Sequence, residues 1–274
     1  MVRVGRRVGL TVAGVDSGGG AGIVADLKTF QAHGLWAAAA VTAVTAQNTL
    51  GVQAVEAVSP ELVRAQIASV AADLGVDAAK TGMLGSADVV RSVTTTVEEF
   101  GVGPLVVDPV LASSAGGTRL LDDEGLDALR RLLLPLAAVV TPNLAEASAL
   151  TGLEVGDPPG MEAAARALVE MGPAAVLVTG GHLGGDRSPD LLLVVGEAPR
   201  WLDGERVPGG GAHGSGCVLS AAVCAGLARG MGPADACVAA KRFVERALAA
   251  AVGLGAGSPS IDPGAAAGDL RGNC

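Results

Sequence analysis

Short apolar runs rich in Val, Ala and Leu alternate along this chain with longer stretches of helical period, and few folds accommodate that alternation. Residues 8–13, 37–46, 77–80, 104–108, 137–141 and 174–179 read as strands, and helical patterns lie between them. Parallel strands need a crossover, usually a helix, and strands buried on both faces are near-continuously apolar. The chain therefore predicts an α/β fold with a mostly parallel sheet. No repeat or mid-chain linker interrupts the rhythm. Residues 1–274 read as a single domain, with 1–7 and the Gly-, Ala- and Ser-rich 253–274 as loose termini. Residues 190–195 and 200–207 read as a hairpin or edge strands.

Half the residues are hydrophobic but only 2% are aromatic. The core must therefore be packed from Ala, Val and Leu, which favours close helix-on-sheet contact. A net charge of −9 argues against a nucleic-acid partner, which needs a basic stripe. It leaves a phosphorylated small substrate open, because local fields can oppose net charge. The four cysteines, Cys217, Cys224, Cys237 and Cys274, form no C-x-x-C pair. They give neither a zinc signature nor a disulfide framework and read as reduced thiols of a cytoplasmic protein. The apolar run 8–15 is too short for a signal peptide, and no apolar run reaches membrane-spanning length, so no membrane partner is expected.

Two glycine turns stand out. The first, Gly14 to Gly22, leads from the first strand into a helical pattern. The second, Gly209 to Cys217, feeds the apolar helix pattern 218–227. A glycine turn before a helix lets backbone N–H groups face an anion, with the helix dipole behind them. Cys217 falls in the first turn, where that field is expected to lower a thiol's pKa. The plainer alternative makes Ser215 an N-cap and Cys217 a buried small apolar residue. Residues 20–25 match a loose dinucleotide fingerprint, but no acidic residue follows about twenty positions on, and the chain has no Gly-Lys pair for a P-loop.

In doubly wound sheets ligands lie beyond the carboxyl ends of strands. Asp16, Gln47 and Asp108 fall there. Gln47 can read a heterocycle edge, donating and accepting at once, or can simply bond the backbone. The Gly-rich 113–119 reads as a cover loop. Asn143 and Glu146 have capping-box spacing, and the same pair can organise water and Mg²⁺, a hard cation that prefers oxygen. His182 follows a strand end and either lines a phosphate site or is a solvated loop imidazole. Lys241, a rare charge in an apolar helix pattern, reaches a phosphate or snorkels to solvent.

Seven ordered segments carry a resemblance: 13–28, Thr42 to Thr49, Lys80-Thr-Gly-Met83, Val107-Asp-Pro-Val110, Thr141 to Glu146, Thr179-Gly-Gly-His182 and His213-Gly-Ser-Gly-Cys217. Together, across residues 8–250, they resemble the hydroxymethylpyrimidine/phosphomethylpyrimidine kinase family of thiamine biosynthesis. That resemblance implies the three-layer α/β/α ribokinase-like fold and a homodimer. It implies transfer of the ATP γ-phosphoryl to an aminopyrimidine alcohol and then to its monophosphate. Gln47 would read the pyrimidine, with Gly14, Asp26, Met83 and Val110 completing the pocket. Asn143, Thr179, Gly180, His213 and Lys241 would serve ATP, and Asp108 and Glu146 Mg²⁺. Gly214, Ser215 and Gly216 would form an anion hole, with Cys217 as base. The sequence departs from the family's usual pattern at Thr179, Ala212 and the 113–119 loop. The alternatives are a pyridoxine or pyridoxal kinase and a non-catalytic pyrimidine-binding sensor.

Overall fold

A computed structural model describes residues 5–113, 117–206 and 212–270, the side chains of 268–270 excepted. Among the described residues nine strands form one sheet in the order β3-β2-β1-β4-β5-β6-β7-β8-β9. They are β1 (Val8–Asp16), β2 (Trp36–Asn48), β3 (Gly51–Ala57), β4 (Ala78–Thr81), β5 (Leu105–Val107), β6 (Ala137–Val140), β7 (Ala175–Val178), β8 (Asp190–Val194) and β9 (Arg200–Leu202). The run from β2 through β1, β4, β5 and β6 to β7 is parallel. The ends are antiparallel: β3 on β2, β8 on β7 and β9 on β8. The central strands are apolar on both sides because helices cover both.

Among the described residues eight α-helices make the outer layers: α1 (Gly22–Ala32), α2 (Pro60–Asp73), α3 (Ala87–Phe100), α4 (Asp123–Ala128), α5 (Leu144–Thr151), α6 (Pro158–Val169), α7 (Ser215–Ala228) and α8 (Pro233–Ala249). One core, from Leu10, Val12, Ile67, Val93, Leu133 and Leu168, lies under α2 to α6. The other, from Phe30, Val106, Leu177, Val223 and Phe243, lies under α1, α7 and α8. The arrangement is the expected three-layer α/β/α stack. α7 is wrapped in protein, with every residue from Val218 to Ala228 buried, which explains its lack of a polar face.

Local signals fixed several boundaries. Ser59 caps α2 by accepting from the Leu62 N–H with Pro60 at N1, and Ser86 caps α3 through the Val89 N–H. The stretch after α4 differs from a single helix: it loosens into a π turn at Leu129–Leu133 and a 3₁₀ turn at Leu134–Leu136, where Pro135 cannot donate to an α ladder. The tail was expected to be loose. Instead it folds back: Val252 and Ser260 exchange backbone hydrogen bonds, the Ile261 N–H donates to the His213 carbonyl, and Ile261, Ala266 and Ala267 are buried. At the other end, Arg7 binds Asp77 at 2.9 Å.

Candidate active site

Beyond the carboxyl ends of β1, β4 and β5, the starts of α1 and α7 meet. The contact is backbone on backbone. Gly214 has φ +87°, and a Cβ built there would lie 1.8 Å from the Gly20 carbonyl oxygen. Gly22, at φ +55°, approaches the Gly14 carbonyl in the same way. Only glycine fits either position without moving main chain. Gly214 is the N-cap of α7, and no side chain caps either helix. The two helix starts therefore lie side by side. Ser215 is not the cap; it opens the first turn. Of the Gly209 to Cys217 segment, Gly209, Gly210 and Gly211 lie outside the described residues.

Cys217 sits half-buried in that first turn, with the Gly22 N–H directed at its sulfur. The sequence led us to expect a lowered thiol pKa. The structure reverses that: burial pushes Cys217 up from 9.0 to about 12, with Lys80 opposing and Asp108 and Asp26 adding to the rise. Desolvation of the thiolate outweighs the Lys80 charge and the Gly22 N–H. The resting sulfur is protonated.

Beneath it lies a buried charge network. The Lys80 ammonium reaches both Asp26 oxygens, at 2.9 and 3.0 Å, and Asp108 at 3.7 Å. Thr11 donates to Asp26 at 2.6 Å, and Ser220, one turn into α7, donates to Asp108 at 2.8 Å. Burial disfavours the ammonium, but Asp26, Cys217 and Asp108 outweigh it and hold Lys80 well above its ordinary 10.5. Asp26 is fully buried, with both oxygens engaged by Lys80 and one also by Thr11. Lys80 is the site residue that the sequence reading passed over. A lysine in a strand between Ala79 and Thr81 was the available signal, since buried lysines need partners.

Gly14 and Met83 are neighbours, a Cβ on Gly14 falling 3.2 Å from the Met83 sulfur. The Met83 carbonyl accepts from Thr42 at 2.6 Å. Val110 follows Asp108 by one tight turn. Gln47 leans on His213, 3.2 Å from its Nε2, and that same nitrogen is 3.0 Å from Asp16. A carboxylate only accepts, so the proton on His213 Nε2 faces Asp16. The Gln47 amide oxygen lies 3.1 Å from Thr45 Oγ1, which donates to the Val15 carbonyl. His213 was grouped with the ATP residues; its ring belongs to the Gln47 side. Burial raises the Asp16 carboxyl, but His213 and the Gly18 and Ala21 N–H groups outweigh burial and leave it below 3.8.

Asn143 and Glu146 do form a capping box: each side chain accepts from the other's backbone N–H, at 3.0 and 2.9 Å. The cap does not exhaust Glu146. Burial first, and the Asp108 charge second, push its carboxyl up to about 8, although the Asn143 and Leu111 N–H groups oppose this. Two carboxylates crowded in a buried place suit a hard divalent cation, which would relieve their repulsion. Among the described residues no three His, Cys, Asp or Glu side chains cluster as a protein-only metal cage. Mg²⁺ usually takes one or two carboxylates and fills its shell with phosphate and water.

Thr179 pairs with Asn143 in a parallel bridge, so the end of β7 adjoins the capping box. Two expected ATP contacts are engaged elsewhere. The Gly180 N–H donates to Asp190 at 2.9 Å. Lys241 pairs with Asp190 at 2.9 Å and donates to the Ser188 carbonyl at 2.6 Å. In this structure both hold the loop after β7 in place. His182 is exposed on that loop. The cover loop is closed at its base by a bridge between Ala112 and Arg119; residues 114–116 of it lie outside the described residues.

The sequence profile of the family described as phosphomethylpyrimidine kinase matches residues 16–262. A hydroxymethylpyrimidine/phosphomethylpyrimidine kinase of Streptomyces coelicolor is 47% identical over 263 residues, covering 95% of each chain. One from Bacillus subtilis is 42% identical, covering 90% of this chain and 91% of the relative. Among solved structures, the ADP complex of Bacillus subtilis pyridoxal kinase is similar with a TM-score of 0.88 at 37% identity, over 95% of this chain and 98% of that one. A phosphomethylpyrimidine kinase from Clostridium difficile gives 0.77 at 35%, over 87% and 98%. A three-layer α/β/α stack, and a match along nearly the whole chain, lead to one conclusion: the chain belongs to the hydroxymethylpyrimidine/phosphomethylpyrimidine kinase family and has its ribokinase-like fold.

Proposed function

We propose that this enzyme moves the γ-phosphoryl group of ATP to the hydroxymethyl oxygen of 4-amino-5-hydroxymethyl-2-methylpyrimidine, and then to the phosphate of the resulting ester, on the route to thiamine diphosphate. One observation carries the reading: two uncapped helix starts meet over Cys217 and the buried Lys80. Phosphoryl transfer asks a protein mainly for positioning and charge neutralisation. The N–H groups of the Gly214 to Cys217 turn supply the anion hole, while Gln47, Gly14, Met83 and Val110 hold the ring. Asn143, with the Thr179 end of β7, faces the nucleotide. Asp108 and Glu146 are the residues that would hold Mg²⁺, which neutralises nucleotide phosphate charge when bound.

In the first transfer the substrate oxygen bonds to the γ-phosphorus, the bond to the bridging oxygen breaks, ADP leaves, and the hydroxyl proton passes to the Cys217 sulfur. The accepting form is the thiolate, and Lys80 provides the charge that favours it. In a loose transition state the hydroxyl proton leaves late, so a scarce thiolate suffices. Cys217→Ala is expected to lose turnover by about 10²–10⁴-fold while keeping pyrimidine affinity. In the wild type, turnover should rise with pH from 6 to 9, because thiolate gains as pH approaches about 12. A variant with near wild-type turnover removes the base role.

A second reading keeps the chemistry and changes the ring, since the pyridoxal kinase of Bacillus subtilis shares this fold closely. Gln47 and Met83 favour the pyrimidine, and parallel kinetics with pyridoxal and the pyrimidine alcohol separate the two. A homodimer accords with the exposed apolar side chains Val44, Leu50 and Val55 on and between β2 and β3. A cytoplasmic setting accords with the thiols, and among the described residues no helix is long and apolar enough to cross a membrane.

A further inference from the structure

The loop between β7 and β8 is held by a single guanidinium. Arg206 donates from Nε to the Gly185 carbonyl at 2.8 Å and from Nη1 to the Gly181 carbonyl at 2.8 Å. Its Nη2 donates to the Leu183 carbonyl and to that of Arg187, the latter at 3.3 Å. All four acceptors are main chain, and all belong to one seven-residue span. The Arg206 N–H adds a bond to the Asp186 carbonyl at 3.0 Å, and the Ser188 N–H donates to the Gly204 carbonyl at 2.9 Å. An arginine's planar fork suits this kind of multi-point grip; a lysine ammonium, a point donor on a flexible stem, does not reproduce it.

The same loop is fixed from beneath. Asp190 is buried, accepts the Gly180 N–H and pairs with Lys241, which also binds the Ser188 carbonyl. Between these two holds, Gly181, His182, Gly184 and Gly185 stay exposed. Thr179, at the root of the loop, is bridged to Asn143. The loop thus leaves the carboxyl end of β7 beside the capping box, where nucleotide is placed in the function proposed above.

We infer that Arg206 is a positioning residue for the nucleotide: it gives the Gly181–Arg187 loop its shape before ATP arrives, with Lys241 and Asp190 securing the root. The inference rests on the kinase reading, because it takes the nucleotide to lie against this loop. An unheld loop would have to be ordered on binding, and that ordering would weaken affinity.

The test measures calorimetric affinities for ADP and for the pyrimidine alcohol, with melting temperature, in wild type, Arg206→Ala and Arg206→Lys. Arg206→Ala is expected to weaken ADP at least tenfold, leave the pyrimidine within twofold and keep a cooperative melt. Arg206→Lys should recover only part of the loss. Unchanged ADP affinity in Arg206→Ala overturns the inference while leaving the kinase reading intact. Should Arg206→Ala fail to fold, Arg206→Lys decides: equal loss of both ligands there marks a general structural role and also overturns it. A wild-type chain that binds no ADP sinks the kinase reading and this inference together.

Discussion

Replacing Lys80 by Met tests the buried network most directly. Methionine keeps the approximate length and apolar stem but removes the ammonium. Asp26 then loses contacts of 2.9 and 3.0 Å, keeping only the Thr11 donor, and Asp108 loses its counter-charge at 3.7 Å while keeping Ser220. Breaking a buried pair by removing one partner costs about 3–5 kcal/mol, out of about 5–15 kcal/mol for a typical native protein. At about 2–4 °C per kcal/mol for a chain near this size, melting should fall by about 6–20 °C. The double variant Lys80→Met with Asp26→Asn should recover most of this stability, because Asn is neutral and can still accept from Thr11. It should not recover turnover, because Cys217 would still lack the charge that favours its thiolate. Urea unfolding gives the free energies, and a coupled ADP assay gives the rates. If Lys80→Met lies within about 1 kcal/mol of wild type, or the double is no better than the single, the network is not a desolvated ion pair and the reasoning fails.

Two further outcomes follow from the site. Glu146→Gln keeps an acceptor for the Asn143 N–H and so preserves the cap, worth about 1 kcal/mol, but removes the charge facing Asp108. Stability should change little, while turnover should drop and require more Mg²⁺; full turnover at unchanged Mg²⁺ demand would leave only the capping role. At alkaline pH, Cys217 and Cys237, both pushed up by burial to about 12, keep their protons in the native state while the unfolded thiols ionise above 9.0. The unfolded state then binds fewer protons, so stability falls as pH rises from 9 to about 12, by about 1 kcal/mol per thiol per pH unit. Lys80 has the same sign: its pKa is raised, so its stabilisation is complete below 10.5 and declines above that. Melting temperature against pH should bend downward near 9, and Cys217→Ala should make the slope shallower; a flat profile to pH 11 contradicts this.

The strand-and-helix rhythm was legible because each central strand is a short apolar run ended by a turn residue, and because Ser59 and Ser86 announce their helices locally. What the sequence could not show was set by contacts far apart in the chain. The Cys217 pKa depends on how much water reaches the start of α7, which no local pattern reports. The position of His213 depends on Asp16 and Gln47, which come from two other strands. Strand β3 escaped the pattern because most of it is exposed and mixes Gln53 and Glu56 with apolar residues. The tail read as loose from its Gly and Ser content, yet Ile261 finds a buried place only because the His213 backbone offers it an edge. Lys241 was legible as a rare charge and Gly180 as an implied ATP contact, but their actual partner, Asp190, lies at the start of another strand.

On the proposed chemistry, a neutral resting thiol has a consequence that a carboxylate base would not share. The nucleotide phosphates and, in the second transfer, the substrate's own phosphate bring negative charge into this site. A permanent anion in the first turn of α7 would repel them and would already occupy the two adjoining helix starts. Cys217 avoids that conflict because its predominant resting form is the neutral thiol, which burial favours, and only the thiolate fraction accepts the hydroxyl proton. The fixed negative charges are kept one layer deeper, where Lys80 lies against Asp26 and near Asp108. Changing Cys217 to Asp should therefore do more than swap one base for another. It places a permanent charge where none rested before, and the affinity for ADP should weaken even as a base already ionised at rest becomes available.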